Sequence, residues 1–353
     1  MSPRVLMQGN EALCEGAIIA GCRFYFGYPI TPQNEVTAYM SWRMPQVGGC
    51  FLQAESELAS INMVWGASCA GKRVMTSSSS PGISLMQEGI SYLVGAELPA
   101  VIVNIVRGGP GLGNIAPSQS DYFQATRGGG HGDYYTIVLA PSTVQEFAEL
   151  MVDAFDLADT YRNPVMVLGD GVLGQMTEPL VLPEPSGRYI SKDEWILDGA
   201  EGREARSIKS LRLNPQKALE ELNLKLHKKY RDIEDKEVRF DQYLLDDAEV
   251  VIVAFGTSSR VARASIDIAR EKGIKAGLIR PITLWPFPSH AISDAASAGR
   301  TRAFVAVEMS LGQMVQDVRL AVNGKKPVFF YGRTGGMLPD ENELLDKLVE
   351  VYS

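Results

Sequence analysis

Four short segments of the chain concentrate side chains capable of chemistry. The first, GYPITP over residues 27–32, sets a threonine among prolines. Proline fixes its own φ and restricts the residue before it, so the Thr31 hydroxyl is held on a rigid, extended loop suited to donating to a ligand carboxylate. The same pattern also reads as a proline-bounded turn feeding a helix near residue 33. The second, QAESELASINMVWGASCAG, puts Glu55 and Glu57 at the start of a helix. Acidic residues there complement the helix dipole, yet Ala59, Ser60, Gly66, Ala67 and Ala70 also let another backbone or a ligand come close. The third, TSSSSPG over 76–82, offers hydroxyl and N–H donors to an anion, or is a polar capping loop. The fourth, RGGPGLGN over 107–114, sets an arginine after the strongest strand signal, where a bidentate grip on a carboxylate meets little obstruction. Its glycines do not form GxGxxG, and no acidic residue follows about 20 positions on, so NAD binding is disfavoured.

Two further motifs lead nowhere so definite. Gly169, Asp170 and Gly171 resemble the start of a diphosphate-and-magnesium motif, but no asparagine lies between Asn163 and Asn214 to complete it, and they read as a strand-end turn. His131, in GGGHGD, reads either as an acid or base or as a structural loop residue.

The elements that must position these residues alternate. Helical pattern over 9–21, 56–71, 83–94 and 143–161 interleaves with strands at 24–26, 74–76, 100–106, 136–139 and 165–168, as in a parallel sheet covered on both faces. Ligands of such sheets bind beyond the carboxyl ends of strands, where all four segments fall. A polar stretch after Pro179 reads as a linker. It leads into a charged helix over 215–235, whose Leu219, Leu222, Leu226 and Tyr230 share a face expected to lie along a neighbouring subunit or domain. A second αβ rhythm follows: strand at 250, GTSSR and a helix to 272, strand 276–280, helix 289–298, strand 303–307, helix 311–322 and strand 328–330.

Composition excludes several classes. The 353 residues, 45% hydrophobic and 22% charged, suit about two globular domains. Net charge of −8 disfavours nucleic acid. Apolar stretches are too short to span a membrane, and Glu11 and Glu15 interrupt any signal-peptide core, so the expected location is the cytoplasm. Cys14, Cys22, Cys50 and Cys69 form no CxxC pair and read as small buried hydrophobes rather than metal or cluster ligands.

Together with GNEALCEGAIIAG, QSDYFQATRGGGHGD and LIRPITLWPFP, the four segments in this order resemble the alpha subunit of the 2-oxoacid:ferredoxin oxidoreductases over nearly the whole chain. The pattern is closest to the branched-chain type, which acts on 3-methyl-2-oxobutanoate, with the 2-oxoglutarate type next. The resemblance implies an α/β chain. A pyrimidine-binding domain of the thiamine-diphosphate enzymes, with a doubly wound, mainly parallel sheet, would occupy 1–182. A linker with a charged helix would span 183–245, and a smaller transketolase C-terminal-like domain 246–353. The implied reaction is oxidative decarboxylation of a 2-oxoacid with coenzyme A, giving acyl-CoA, carbon dioxide and reduced ferredoxin. The chain would be inactive without partners: a beta subunit carrying the diphosphate, Mg2+ and an iron-sulfur cluster, with gamma and ferredoxin-like delta subunits.

Residue by residue, the family's pyrimidine-activating glutamate falls on Glu57, from which the helix containing Gly66 and Ala67 aligns best, with Glu55 as the alternative. Tyr28 and Pro29 fall beside the cofactor, and Thr31 and Arg107 on positions that hold the substrate carboxylate. A carboxylate bonded to the ring nitrogen N1′ favours the imino tautomer, the base for the thiazolium C2 proton. The second domain is implied to be mainly an assembly module, its GTSSR loop a possible anion site without a catalytic part. The contrasting expectations are a non-catalytic scaffold and a complete transketolase-type enzyme, which would need its own magnesium motif.

Overall fold

Apolar runs buried on both faces build the two larger of three sheets, the third being an antiparallel pair that joins residues 5–8 to residues 177–180. The computed structural model describes residues 3–188, 190–212 and 216–353. Its first part runs β1 (Val5–Gln8), α1 (Gly9–Ile19), β2 (Phe24–Gly27), α2 (Asn34–Gln46), β3 (Cys50–Gln53), α3 (Glu57–Cys69), β4 (Val74–Ser78) and α4 (Ser80–Gly95). It continues with β5 (Ala100–Val106), α5 (Tyr122–Arg127), β6 (Ile137–Leu139), α6 (Val144–Tyr161), β7 (Pro164–Asp170), α7 (Gly171–Gln175) and β8 (Thr177–Leu180). Then come α8 (Gln216–Lys236), β9 (Phe240–Tyr243), β10 (Val250–Ala254), α9 (Gly256–Glu271), β11 (Ala276–Pro281) and β12 (Thr283–Trp285). The chain closes with α10 (Ser289–Ser297), β13 (Ala303–Glu308), α11 (Met314–Val322), β14 (Val328–Gly332) and α12 (Glu341–Tyr352). No helix among the described residues is long and apolar enough to cross a membrane.

The larger sheet has the order β12-β6-β7-β5-β4-β2-β3, parallel except for β12. Every residue of β5 and β7 is buried, which is why these strands read as unbroken apolar runs. The smaller sheet has the order β14-β13-β10-β11-β9, with β9 antiparallel at one edge. Two strands depart from the sequence reading. Residues 240–243, read as linker, form β9 on the smaller sheet, and residues 283–285, read as part of the second unit, extend the first sheet as β12. Strands of three or four residues carry too little periodicity to declare which sheet they join. Helices α5, α7 and α12 and strands β1, β3 and β8 were likewise not anticipated. Nor are all cysteines buried, since Cys50 is exposed on the edge strand β3.

Helix α8 packs along the first domain of its own chain, the second of the two neighbours its apolar face allowed. Leu222, Leu226, Tyr230 and Ile233 are buried, whereas Leu219 is exposed; residue 215 lies outside the described residues. The reason is an aromatic shelf that primary structure does not display. Trp285 of β12 stacks on Tyr135 with ring centroids 4.8 Å apart, and the Tyr230 ring meets Trp285 edge-on at 5.7 Å.

The junction between the units is polar. Asp170 Oδ1 accepts from the Val172 and Leu173 N–H groups and, at 2.8 Å, from the Thr257 hydroxyl. Burial pushes this carboxyl above its ordinary value despite those donors. GTSSR therefore opens α9 against an anion that the chain itself supplies, and is no vacant anion loop.

Lys229 on α8 is half-buried. Among the described residues its Nζ donates only to the Arg162 carbonyl, at 3.3 Å, while the nearby carboxylate of Glu97 is taken by Lys225. Burial pushes its ammonium down to about 8, Glu97 opposing and Lys225 and Arg162 adding to the fall. Below about 8 the folded protein bears the full cost of this charge. Between there and the ordinary 10.5 the folded amine sheds its proton before the unfolded one, so the cost disappears. Lys229→Met should therefore raise stability near neutral pH by roughly 1 kcal/mol, a figure discounted for partial exposure. Denaturant titrations across that window should find the gain fading as pH rises.

Candidate active site

Parallel strands bring the four loops to one edge of the larger sheet. The Ala54 N–H donates to the Gly27 carbonyl at 3.0 Å, so the segments after β2 and β3 run side by side. Only glycine fits at 27, because a Cβ there would lie 2.4 Å from the Tyr25 hydroxyl oxygen. The loop beyond it is fastened at several points. Buried Gln33 donates to the Tyr28 carbonyl at 3.2 Å, and the Pro32 carbonyl accepts from Asn10 Nδ2 and Gln175 Nε2, each at 2.9 Å. Tyr28, Pro29 and Thr31 remain half-exposed above these anchors.

The hydroxyl run is not a loop. Thr76, Ser77 and Ser78 belong to β4, Ser80 opens α4, and all are buried. Ser77 donates to Gln33 Oε1, which leaves the Tyr25 hydroxyl, 2.8 Å from Ser77 Oγ, to donate to it and to accept from Thr37 at 3.0 Å. Ser78 Oγ donates to Glu57 Oε1 at 3.2 Å. Ser80 Oγ accepts from the Arg107 N–H at 3.0 Å and faces the Arg107 carbonyl at 3.2 Å. Glu57 and Arg107 are thus fastened to the same strand-to-helix junction, two residues apart.

Glu57 is the first residue of α3, behind an N-cap serine whose Oγ accepts from the Ala59 N–H. It is 5% exposed, and its second carboxylate oxygen accepts no hydrogen bond among the described residues. Gly82 leaves the room it occupies, since a Cβ at 82 would stand 2.3 Å from Glu57 Oε1 and 2.0 Å from Ser78 Oγ. Glu55, two residues earlier, points away into exposure beside Ser56.

Arg107 is 8% exposed. Its Nη1 donates to the Thr31 carbonyl at 3.0 Å and its Nη2 to the Leu112 carbonyl at 3.3 Å, while Nε is buried without a partner. No carboxylate lies within ion-pairing distance of it among the described residues. A buried cation held only by carbonyls is an incomplete arrangement that an anion would complete. Thr31 and Arg107 do meet, but through the threonine's carbonyl. The Thr31 hydroxyl accepts from Asn34 Nδ2 at 3.1 Å and keeps its own hydrogen for a ligand. His131 lies elsewhere, on an exposed loop with its ring edge-on to Tyr92. Gln33, Ser78, Ser80 and Gly82 were not singled out individually from the sequence; serines at alternate positions of a strand were the available signal.

A family model described as pyruvate flavodoxin/ferredoxin oxidoreductase, thiamine diphosphate-binding, matches residues 15–236, and one described as pyruvate:ferredoxin oxidoreductase core domain II matches residues 248–344. The ketoisovalerate oxidoreductase subunit VorB of Methanothermobacter thermautotrophicus is 53% identical, over 98% of this chain and 97% of that protein. The 2-oxoglutarate synthase subunit KorA of Archaeoglobus fulgidus is 40% identical, over 98% and 97%. The solved 2-oxoglutarate:ferredoxin oxidoreductase from Magnetococcus marinus, with 2-oxoglutarate, coenzyme A and succinyl-CoA bound, superposes with a TM-score of 0.87 at 27% identity, covering 100% of this chain and 66% of that one. A split-gene transketolase shares the fold, with a TM-score of 0.61 at 14% identity. Matched along both of its α/β units, the chain belongs to the pyruvate flavodoxin/ferredoxin oxidoreductase family.

Proposed function

We propose that this chain is the alpha subunit of a thiamine-diphosphate-dependent 2-oxoacid:ferredoxin oxidoreductase of the cytoplasm, with 3-methyl-2-oxobutanoate as its substrate. The products are acyl-CoA, carbon dioxide and reduced ferredoxin, which takes up the electron pair of the oxidation. The observation that carries this reading is the pairing of a buried carboxylate, Glu57, with a buried and unneutralised guanidinium, Arg107, on one strand-to-helix junction.

The residues present fit an aminopyrimidine. Glu57 has a carboxylate oxygen without a partner, and Tyr28 and Pro29 offer half-exposed surface on the adjoining loop. When bound, thiamine diphosphate supplies the carbon acid and electron sink for decarboxylation. Glu57 would hold the aminopyrimidine through its free oxygen, while Ser78 keeps the other oxygen from turning away. Arg107 and the Thr31 hydroxyl grip the substrate carboxylate and aim the bond to be broken.

Charge arithmetic supports a monocarboxylate substrate. In residues 27–34, 53–58, 76–82 and 107–119 the sole cation is Arg107, so a second carboxylate such as that of 2-oxoglutarate finds no counter-ion from these loops. Exposed Leu58, Leu112 and Ile115 lie on the same segments and suit burial by a second chain. The GDG aspartate is spent on α7 and Thr257, which leaves diphosphate and Mg2+ to a beta subunit that also carries an iron-sulfur cluster. Gamma and ferredoxin-like delta subunits complete the proposed assembly.

In the reconstituted complex, Glu57→Gln should lower kcat for viologen or ferredoxin reduction by roughly two to four orders of magnitude. Unchanged reduction would leave the chain a scaffold. Arg107→Ala should raise KM for 3-methyl-2-oxobutanoate by about tenfold to a hundredfold, the ratio for one lost charge-assisted bond, with KM for coenzyme A steady. Assays with 3-methyl-2-oxobutanoate, 2-oxoglutarate and pyruvate should rank the first highest in kcat/KM; a preference for 2-oxoglutarate would overturn the substrate assignment.

A further inference from the structure

Residues 119–121, Gln-Ser-Asp, follow the arginine loop and touch none of the groups assigned to chemistry above, yet their side chains are committed on both sides. Gln119 is 2% exposed and faces the second domain. Its Nε2 donates to the Phe255 carbonyl at 2.9 Å, and its Oε1 accepts from Ser258 Oγ at 2.7 Å and from the Met309 N–H at 3.0 Å. Its backbone N–H donates to the Met309 carbonyl, and Gln313 donates to the Ser120 carbonyl at 2.6 Å. Such a segment moves only with the second domain.

Asp121 faces the other way. It occupies the N-cap of α5, where an aspartate ordinarily accepts from the helix's first N–H groups, but makes no cap hydrogen bond. Its Oδ2 accepts instead from Asn104 Nδ2, at 2.9 Å. Asn104 is a fully buried amide in the otherwise apolar β5, a position tolerable only when its polar atoms are answered. Its Oδ1 accepts from the Ser80 N–H at 3.1 Å, and Ser80 Oγ engages the N–H and carbonyl of Arg107. The chain of contacts from Gln119 to Arg107 is unbroken, and a second path runs through the bridge between Arg107 and Pro117. Burial pushes the Asp121 carboxyl upward, against the pull of Asn104 and Ser80.

We propose that residues 119–121, anchored in the second domain by Gln119, position the main chain of Arg107, and with it the base of its guanidinium side chain, through Asp121, Asn104 and Ser80. The second domain thereby takes part in substrate binding. The Thr31 and Leu112 carbonyls aim the guanidinium tip, but the main chain of Arg107 sets where that side chain starts, and small displacements of an orienting group weaken capture of a substrate. The effect on substrate rests on the role given to Arg107; the positioning does not.

The test is the rate at which phenylglyoxal modifies Arg107 in the assembled complex, read by peptide mass mapping beside steady-state kinetics. Asp121→Ala should speed modification about fivefold and raise KM for the 2-oxoacid in proportion, the ratio for one net hydrogen bond, with kcat and KM for coenzyme A unmoved. Asp121→Asn keeps an acceptor oxygen for Asn104 and should restore both. Gln119→Ala should act as Asp121→Ala does. Modification of Asp121→Ala at the parent rate, or of Asp121→Asn as fast as Asp121→Ala, overturns the positioning. Should Asp121→Ala fail to assemble, Ser80→Ala decides by the same criterion. Faster modification with an unchanged KM for the 2-oxoacid upholds the positioning and removes Arg107 from substrate binding.

Discussion

A polar group withdrawn from water must be answered by another, and the row of hydroxyls where β4 becomes α4 is where this fold meets that demand. Ser77 answers Gln33 and so fastens the loop after β2; Ser78 answers Glu57 at the start of α3; Ser80 answers the backbone of Arg107 after β5. Three loops from three strands thus share one strip of main chain. Their mutual geometry follows from covalent spacing along residues 77–80, to which the Ala54–Gly27 and Arg107–Thr31 hydrogen bonds between the loops add. Gly82 is the cost of this arrangement, because any side chain there would occupy the volume of the Glu57 carboxylate.

The two buried arginines of the chain show what sets the candidate site apart from its scaffold. Arg280, 4% exposed, is matched by both oxygens of Glu146, at 2.7 and 2.9 Å. That closed pair serves the junction between the units. Arg107 is almost as deeply buried but meets carbonyls alone; a buried Nε without a hydrogen-bond partner is common to both, and the carboxylate is what Arg107 lacks. Carbonyl dipoles orient a cation without cancelling its charge, so the site keeps its attraction for an anion while holding a direction.

Much of this was legible in the sequence, for identifiable reasons. The alternation of apolar runs and amphipathic helices declared the parallel sheet, and a parallel sheet necessarily collects the ends of its strands, so Thr31, Glu57 and Arg107 could be drawn together before any coordinates. What escaped was non-local. TSSSS has the composition of a loop, and only burial between neighbouring strands makes Ser77 and Ser78 strand residues. The destination of α8 depends on Tyr135 and Trp285, remote in sequence and joined through a three-residue strand, and its amphipathic face could not name its partner. GTSSR looked like an anion loop because it is one; the anion is Asp170, 87 residues away.

That last contact bears on how the work is divided between chains. An aspartate at the carboxyl end of a central strand is well placed to help hold a metal and a diphosphate, but in this chain it is buried, its carboxyl pushed up, and bound to the start of α9. Freeing it would break the cap of α7 and remove one of the buried links between the two α/β units. The carboxylate and guanidinium at the β4 junction, by contrast, each retain an unanswered atom. A chain whose phosphate-type motif is consumed in joining its own domains, while its pyrimidine- and carboxylate-type groups stay open, has the chemistry of one half of a site. In the proposed assembly the other half comes from a surface that covers Leu58, Leu112 and Ile115, and burying those apolar side chains would at the same time dry the space assigned to Glu57 and Arg107.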